Sequence, residues 1–224
     1  MRSWPWLTAF VAIGLLRDVA LLLPSRRSGV YFLTYVATEP IVLGALAGAV
    51  MESWRRRTAS LVSLGKAGKY LFWLALGAAS LVTIAAATLG RSWFLPLQMV
   101  LIARQWILSA LAAFMLASLI ALEAIRVRAA AAVQFEHRIL SAYLFVQAAA
   151  MCAAALAGEA AMNGINTISL AAGAILYFLW AAGIQPVPAE SAPHPGPRAE
   201  AAEAQMAEVL TTMRTAAKSL MGRR

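Results

Sequence analysis

Long apolar segments alternate with short polar connections along most of the chain. Each segment is about 20 residues long, which matches a bilayer core of roughly 30 Å at about 1.5 Å of rise per residue. A chain that crosses lipid must satisfy its backbone hydrogen bonds internally, so each segment is predicted to be a helix. The pattern predicts an all-α, polytopic transmembrane helix bundle with six spans, at about residues 4–23, 30–51, 69–89, 93–122, 138–158 and 165–184.

The composition agrees with a membrane protein. Of the 224 residues, 62% are apolar and 13% are charged, whereas soluble domains are nearer half apolar and a quarter charged. The net charge of +9 would also suit a nucleic-acid-binding protein. Because cytoplasmic loops of membrane proteins collect Lys and Arg, the positive-inside bias explains the excess, and no nucleic-acid partner is expected.

The basic residues also predict an orientation. Most of the nineteen lysines and arginines fall on one side of the six-span scheme. They include Arg55, Arg56 and Arg57 after the second span, and Arg126 and Arg128 after the fourth. Both termini are therefore predicted to be cytoplasmic, in a multi-pass protein of the cell inner (plasma) membrane.

The fourth and fifth helices are predicted to extend beyond the membrane. Neither Gly nor Pro, the main helix breakers, occurs between Leu97 and Ala157. We therefore predict a cytoplasmic helical hairpin extension that turns near Ala129 to Val133.

The region after the sixth span changes in composition. Residues 1–185 are predicted to form the transmembrane domain, residues 186–198 a Pro-rich linker and residues 199–224 a cytoplasmic amphipathic helix. That helix could lie on the lipid surface or pack on a partner, and a partly disordered tail is a third possibility.

Four ionisable residues lie inside the predicted spans: Arg17, Asp18, Glu39 and Arg104. With the amino terminus inside, all four fall in the outer half of the bilayer, and their formal charges cancel. Glu39 is expected to be tolerated because Arg17 or Arg104 neutralises it. The pairs could only hold helices together, or they could line a polar cavity for a small ligand, a lipid headgroup or an ion. Alternatively, Arg17 could extend its charge to the interface.

Other residues are expected to support this cluster or the packing around it. Gly44 and Gly48, in the stretch "GALAG", form a small-xxx-small motif that predicts close helix packing, within the chain or between subunits. Five polar side chains could extend the cluster: Tyr35, Gln98, Gln105, Tyr143 and Gln147.

Motifs for catalysis or metal binding are missing from the sequence. No histidine lies in the middle of a span, and no Cys/His cluster has metal-ligand spacing. Cys152 is the single cysteine, so no internal disulfide can form. We expect neither a cofactor nor a metal, and catalysis has no positive support.

A set of residues in the first half of the chain resembles a known group of proteins. The set comprises Tyr31, Phe32, Tyr35, Glu39, Glu52, Arg55, the run "YLFWLAL" from Tyr70, and Arg104. Over about residues 30–110 it resembles small polytopic bacterial membrane proteins, themselves uncharacterised. The resemblance implies no activity.

Three functional hypotheses follow. The leading one is a non-enzymatic integral membrane protein that binds a small ligand or lipid at the charged cluster and couples to a cytoplasmic partner. The first alternative is a structural subunit of a membrane complex or a homo-oligomer. The second alternative is a small transporter, for which Pro40 would supply a helix break, although no internal repeat is evident.

Overall fold

Helices make up all the regular structure in the part of the chain that the computed structural model describes. That part comprises residues 4–22, 29–89, 96–127, 130–157, 167–168, 171–175, 177–180, 182 and 196–221. The helices are α1 (Pro5–Leu22), α2 (Gly29–Arg57), α3 (Val62–Leu89), α4 (Pro96–Ala124), α5 (Ala131–Ala157), α6 (Ala171–Trp180) and α7 (Pro197–Met221). The all-α fold class is confirmed.

Three of the described helices are long and apolar enough to cross a membrane, namely Gly29–Arg57, Val62–Ala86 and Met99–Ala124. The outer face of α3 exposes large apolar side chains, Leu71, Leu74 and Ile84 among them. Such a face would be unusual in water but is expected against lipid. These features are compatible with an integral membrane protein. The six-span topology remains a prediction, since three described helices meet the length and hydropathy needed to cross a membrane and parts of the sixth predicted span lie outside the described residues.

Helix α2 occupies the centre of the bundle and packs against α1, α3, α4 and α5. Its buried side chains recur at helical spacing, as Leu46, Val50 and Trp54 illustrate. Near its end, the Trp54 ring meets Phe114 of α4 edge-on at 5.7 Å between centroids. A side chain at Gly68 of α3 would overlap the Trp54 indole, so glycine there permits the close approach of α3 to α2.

The turn between α4 and α5 lies earlier than predicted. Helix α4 ends at Ala124 and α5 begins at Ala131, so the turn begins four residues before the predicted position, Ala129 to Val133, and residues 131–133 are helical. Arg126 takes a left-handed conformation with φ of 55°. The Val127 amide donates to the Leu122 carbonyl at 3.0 Å, and the Arg126 amide donates to the Glu123 carbonyl at 3.0 Å. This pattern is a Schellman motif, which ends α4 without glycine.

The end of the α4–α5 hairpin packs against the last turns of α2. His137 of α5 lies between Ser53 of α2 and Ser118 of α4, at 3.0 and 3.1 Å. Arg57 of α2 is 1% exposed and lies 3.7 Å from Glu123 of α4. The described residues of α2, α4 and α5 therefore pack together at this end. A hairpin that protrudes into the cytoplasm remains a prediction.

Helix α7 rests on the beginning of α3. The Glu203 carboxylate accepts hydrogen bonds from the backbone amides of Ser63 and Leu64, the latter at 2.9 Å. These amides belong to the first turn of α3, where no helical carbonyl is available to them. Burial alone would raise the pKa of Glu203, but the two amide donors outweigh burial and lower it.

Candidate intramembrane binding site

The charged residues from three helices meet at Glu39. Arg17 of α1 donates from Nη1 to Oε2 of Glu39 at 2.7 Å. On the other side, Nε of Arg104 from α4 lies 3.3 Å from Oε1 of Glu39. Each carboxylate oxygen therefore has its own guanidinium, and the Glu39 side chain is only 2% exposed.

Two further residues orient the arginines. Asp18 Oδ1 accepts from both Nε and Nη2 of Arg17, at 3.1 and 3.0 Å. Arg104 donates from Nη1 to the Tyr35 hydroxyl at 2.9 Å. With two arginines and two carboxylates, the formal charge of the cluster is zero. Because a charge is costly in hydrocarbon, this cancellation accounts for how Glu39 is tolerated.

Of the other polar residues that we expected to extend the cluster, Tyr143 interacts electrostatically with Arg104, Arg17 and Glu39. Its ring packs against Phe10, with 6.0 Å between ring centroids. Gln147 is buried on α5, whereas Gln105 on α4 is half-buried. The Gln98 side chain lies outside the described part of the structure.

A large cavity adjoins the cluster. It has a volume of about 850 Å³ and lies between α1, α2, α3 and α4, with Glu39 at one end. Its middle is apolar, and its other end carries Glu52, Arg55 and Arg56. Residues 39 and 52 are thirteen positions apart on α2, which corresponds to about 20 Å along the helix. The cavity is thus elongated, with polar groups at its two ends.

The two glycines of the GALAG stretch have different environments. The Trp6 indole of α1 covers Gly48, and a Cβ at that position would lie 2.5 Å from the ring. Nothing lies within 4 Å of the place where a Cβ at Gly44 would be, and Gly44 lines the cavity. Within the described chain, Gly48 is therefore packed by a neighbouring helix and Gly44 faces open space. A contact of Gly44 with a second subunit remains a prediction.

A second set of polar contacts, which was not predicted from the sequence, surrounds the far end of the cavity. Glu52 accepts from the Trp6 amide at 3.0 Å and from Arg56 at 2.7 Å. The Arg56 guanidinium also lies 3.7 Å above the Trp4 ring. The spacing of Glu52 and Arg56, four positions apart on one helix, was the available signal. These contacts hold the start of α1 against the end of α2.

His137 is a buried, neutral histidine. The Ser118 hydroxyl donates to the Met115 carbonyl at 2.8 Å, so Ser118 accepts from Nε2 of His137, and the Ser53 hydroxyl donates to Nδ1. The pKa of His137 is lowered to about 3, chiefly by burial and also by the nearby Arg57, while Glu123 acts in the opposite direction. With both ring nitrogens satisfied, His137 connects three helices and is not available for acid–base chemistry.

Glu136 is a second buried carboxyl group besides Glu39, and it was not predicted from the sequence. It lies just before the predicted fifth span, is 4% exposed, and neither of its oxygens has a hydrogen-bond partner among the described residues. Burial raises the pKa of Glu136 to about 9, with a further contribution from Glu52 that Arg56 partly offsets. Glu136 is therefore protonated at neutral pH.

No set of three or more His, Cys, Asp or Glu residues that could hold a metal ion occurs in the described ranges.

Comparisons with protein-family models, with curated proteins and with solved structures find no match for this chain. The comparisons thus add no support to a bacterial or inner-membrane origin, and both remain predictions.

Proposed function

We propose that this protein binds a small ligand or a lipid in the cavity beside the charged cluster, and that it is not an enzyme. The observation that carries the proposal is a cavity of about 850 Å³ with the buried carboxylate of Glu39 on its wall. Sites for small molecules typically measure about 300–1,000 Å³ and combine apolar walls with a few polar groups. The cavity meets both conditions.

The position of Glu39 favours binding over a purely structural role. Ion pairs that only hold helices together are expected to be enclosed by packed side chains. Glu39 instead borders open space, next to Gly44. A bound molecule would fill that space and exclude water from the cluster, which strengthens the interactions of the charges.

The proposal includes coupling to a cytoplasmic partner through α7. Phe72 and Trp73 of α3 line the cavity. The first turn of the same helix receives Glu203 of α7. A displacement of α3 upon binding would therefore be transmitted to α7, which carries the exposed side chain of Met213 toward its end.

A cavity-filling substitution tests the binding proposal. Gly44→Leu adds a side chain to open space inside the cavity, whereas Gly77→Leu adds the same side chain to open space on α3 away from it. We expect native mass spectrometry of the purified full chain to show bound small molecules or lipid in the wild type and in Gly77→Leu, and a strong loss in Gly44→Leu. Full occupancy in Gly44→Leu would contradict the proposal.

Glu39→Gln separates binding from stability in the same experiment. Glutamine keeps the shape of the side chain but leaves Arg17 and Arg104 without their shared anion. The proposal predicts that the variant accumulates in the membrane with altered occupancy, while Glu208→Gln, at an exposed position of α7, behaves like the wild type. If Glu39→Gln fails to accumulate, the cluster is structural.

A second candidate function is that of a structural subunit, in a homo-oligomer or a larger complex. The open space at Gly44 supports it, because a helix of a neighbouring subunit could pack there. Size measurement in mild detergent distinguishes the two functions. A strict monomer with a bound small molecule supports the binding function, and an oligomer that Gly44→Leu dissociates supports the structural one.

A further inference from the structure

The cavity differs in charge between its two ends. At the Glu39 end, Arg17 and Arg104 compensate the carboxylate, at 2.7 and 3.3 Å. Arg17 is also paired with Asp18. This end therefore offers no uncompensated charge to a bound molecule.

One uncompensated cation remains at the other end. Glu52 and Arg56 are paired at 2.7 Å, and Arg56 is also held over the Trp4 ring. Arg55 is exposed and lines the cavity, and it makes no hydrogen bond or ion pair with the other described residues. A ligand that enters this end meets a guanidinium that is free to bind an anion.

The wall between the two ends suits a hydrocarbon chain. It is formed by Leu43, Ala47, Met51, Phe72, Trp73 and Leu76. The sixteen positions from Glu39 to Arg55 correspond to about 24 Å along α2. One leaflet of hydrocarbon is about half of a roughly 30 Å core, so the cavity is long enough for an acyl chain that begins at the level of Arg55.

We propose that the occupant is an anionic phospholipid from the leaflet at the Arg55 end, with its phosphate group at Arg55 and an acyl chain along the apolar wall toward Glu39. This inference rests on the proposed function, because it specifies the class of molecule bound in the same cavity. The charge complementarity at Arg55 and the apolar wall select this occupant. A zwitterionic lipid would lack the net negative charge, and a polar metabolite would lack the chain.

The test is a competition between two lipids. The full chain is reconstituted in vesicles of equal parts phosphatidylglycerol and phosphatidylcholine with identical acyl chains, then extracted in mild detergent, and the retained lipids are measured by native mass spectrometry. The wild type is expected to retain phosphatidylglycerol preferentially. Arg55→Gln is expected to lower that preference by about fivefold, which is the usual contribution of one basic side chain near an anionic surface.

Lys69→Gln is the matched control. Lys69 is an exposed cation on α3, near the same end of the molecule, but it is not part of the cavity wall. Equal lipid preferences in Arg55→Gln and Lys69→Gln would overturn the assignment to an anionic phospholipid. Loss of bound molecules in Gly44→Leu would still support the binding function in that case, so the failures of the two proposals are distinguishable.

Discussion

Glu39 and Glu136 are both buried glutamates, and the difference between them is the number of cations within reach. Glu39 contacts two arginines from neighbouring helices. Glu136 contacts none, and the small void beside it is lined by apolar side chains such as Leu7 and Phe10, together with Tyr177. A buried carboxylate without a partner is costly, so Glu136 keeps its proton while Glu39 is compensated as an ion.

The protonation of Glu136 predicts that the protein loses stability at alkaline pH. Its pKa is raised from 4.5 to about 9, so the folded state binds a proton that the unfolded state has released. The contribution is complete below pH 4.5 and is lost as the pH rises toward 9. Glu52 and Arg56 are the charged groups that face Glu136.

Glu136→Gln should remove this dependence, because the amide is neutral throughout. At the alkaline end of the range the variant is expected to be more stable than the wild type by about 1–3 kcal/mol, because burying an ionised carboxylate without a partner costs more than burying a neutral amide. Thermal unfolding of both proteins in detergent across the pH range measures this difference in stability. Glu208→Gln, at an exposed position of α7, should follow the wild-type curve, and a wild-type curve that is flat above pH 4.5 would contradict the assignment.

At the scale of the elements, the end of α4 depends on backbone geometry more than on residue type. The sequence offers no Gly or Pro there, which led to the prediction of a later turn. Arg126 nevertheless adopts the left-handed conformation that the Schellman motif requires. A non-glycine residue in this conformation costs about 1–2 kcal/mol.

Arg126→Gly is therefore expected to stabilise the protein. Relief of the left-handed conformation outweighs the greater freedom of glycine in the unfolded chain, for a net gain of about 0.5–1 kcal/mol. Arg126→Ala is the control, since it removes the same charge but keeps the penalty. Melting temperatures in detergent that are equal for the two variants would show that strain at this residue is negligible.

At the scale of the whole molecule, Glu203 connects the tail to the bundle. Its carboxylate supplies acceptors to the Ser63 and Leu64 amides of α3, so one helix caps another that is far away in the sequence. The pKa of Glu203 is lowered from 4.5. Its contribution to docking is therefore present above pH 4.5 and is lost as the pH falls below that value.

Glu203→Gln should loosen α7 from α3. Glutamine has a single acceptor oxygen and no charge, and loss of a helix cap typically costs about 1 kcal/mol. Hydrogen exchange at the Ser63 and Leu64 amides is expected to accelerate by about fivefold at neutral pH. If the Ser63 and Leu64 amides exchange at the same rate in Glu203→Gln as in the wild type and in the control Glu208→Gln, α7 is held on α3 by other contacts.

Much of the architecture follows from the sequence alone. Lengths of apolar runs are local properties, and the cost of exposing backbone polar groups to lipid then requires helices. The chain's all-α class and three helices able to cross a membrane agree with this reasoning. A charge in hydrocarbon must be neutralised, and from this requirement the sequence predicts that Glu39 lies near Arg17 or Arg104. The role of that cluster is still a prediction.

Only the tertiary structure decided where space and unpaired groups remain. The rotation of each helix about its axis places Gly48 beneath Trp6 but leaves Gly44 open. It also buries Glu136 without a partner and leaves Arg55 free at the cavity mouth. These outcomes depend on contacts between helices that are distant in the chain, and no local pattern of apolar and polar residues specifies them.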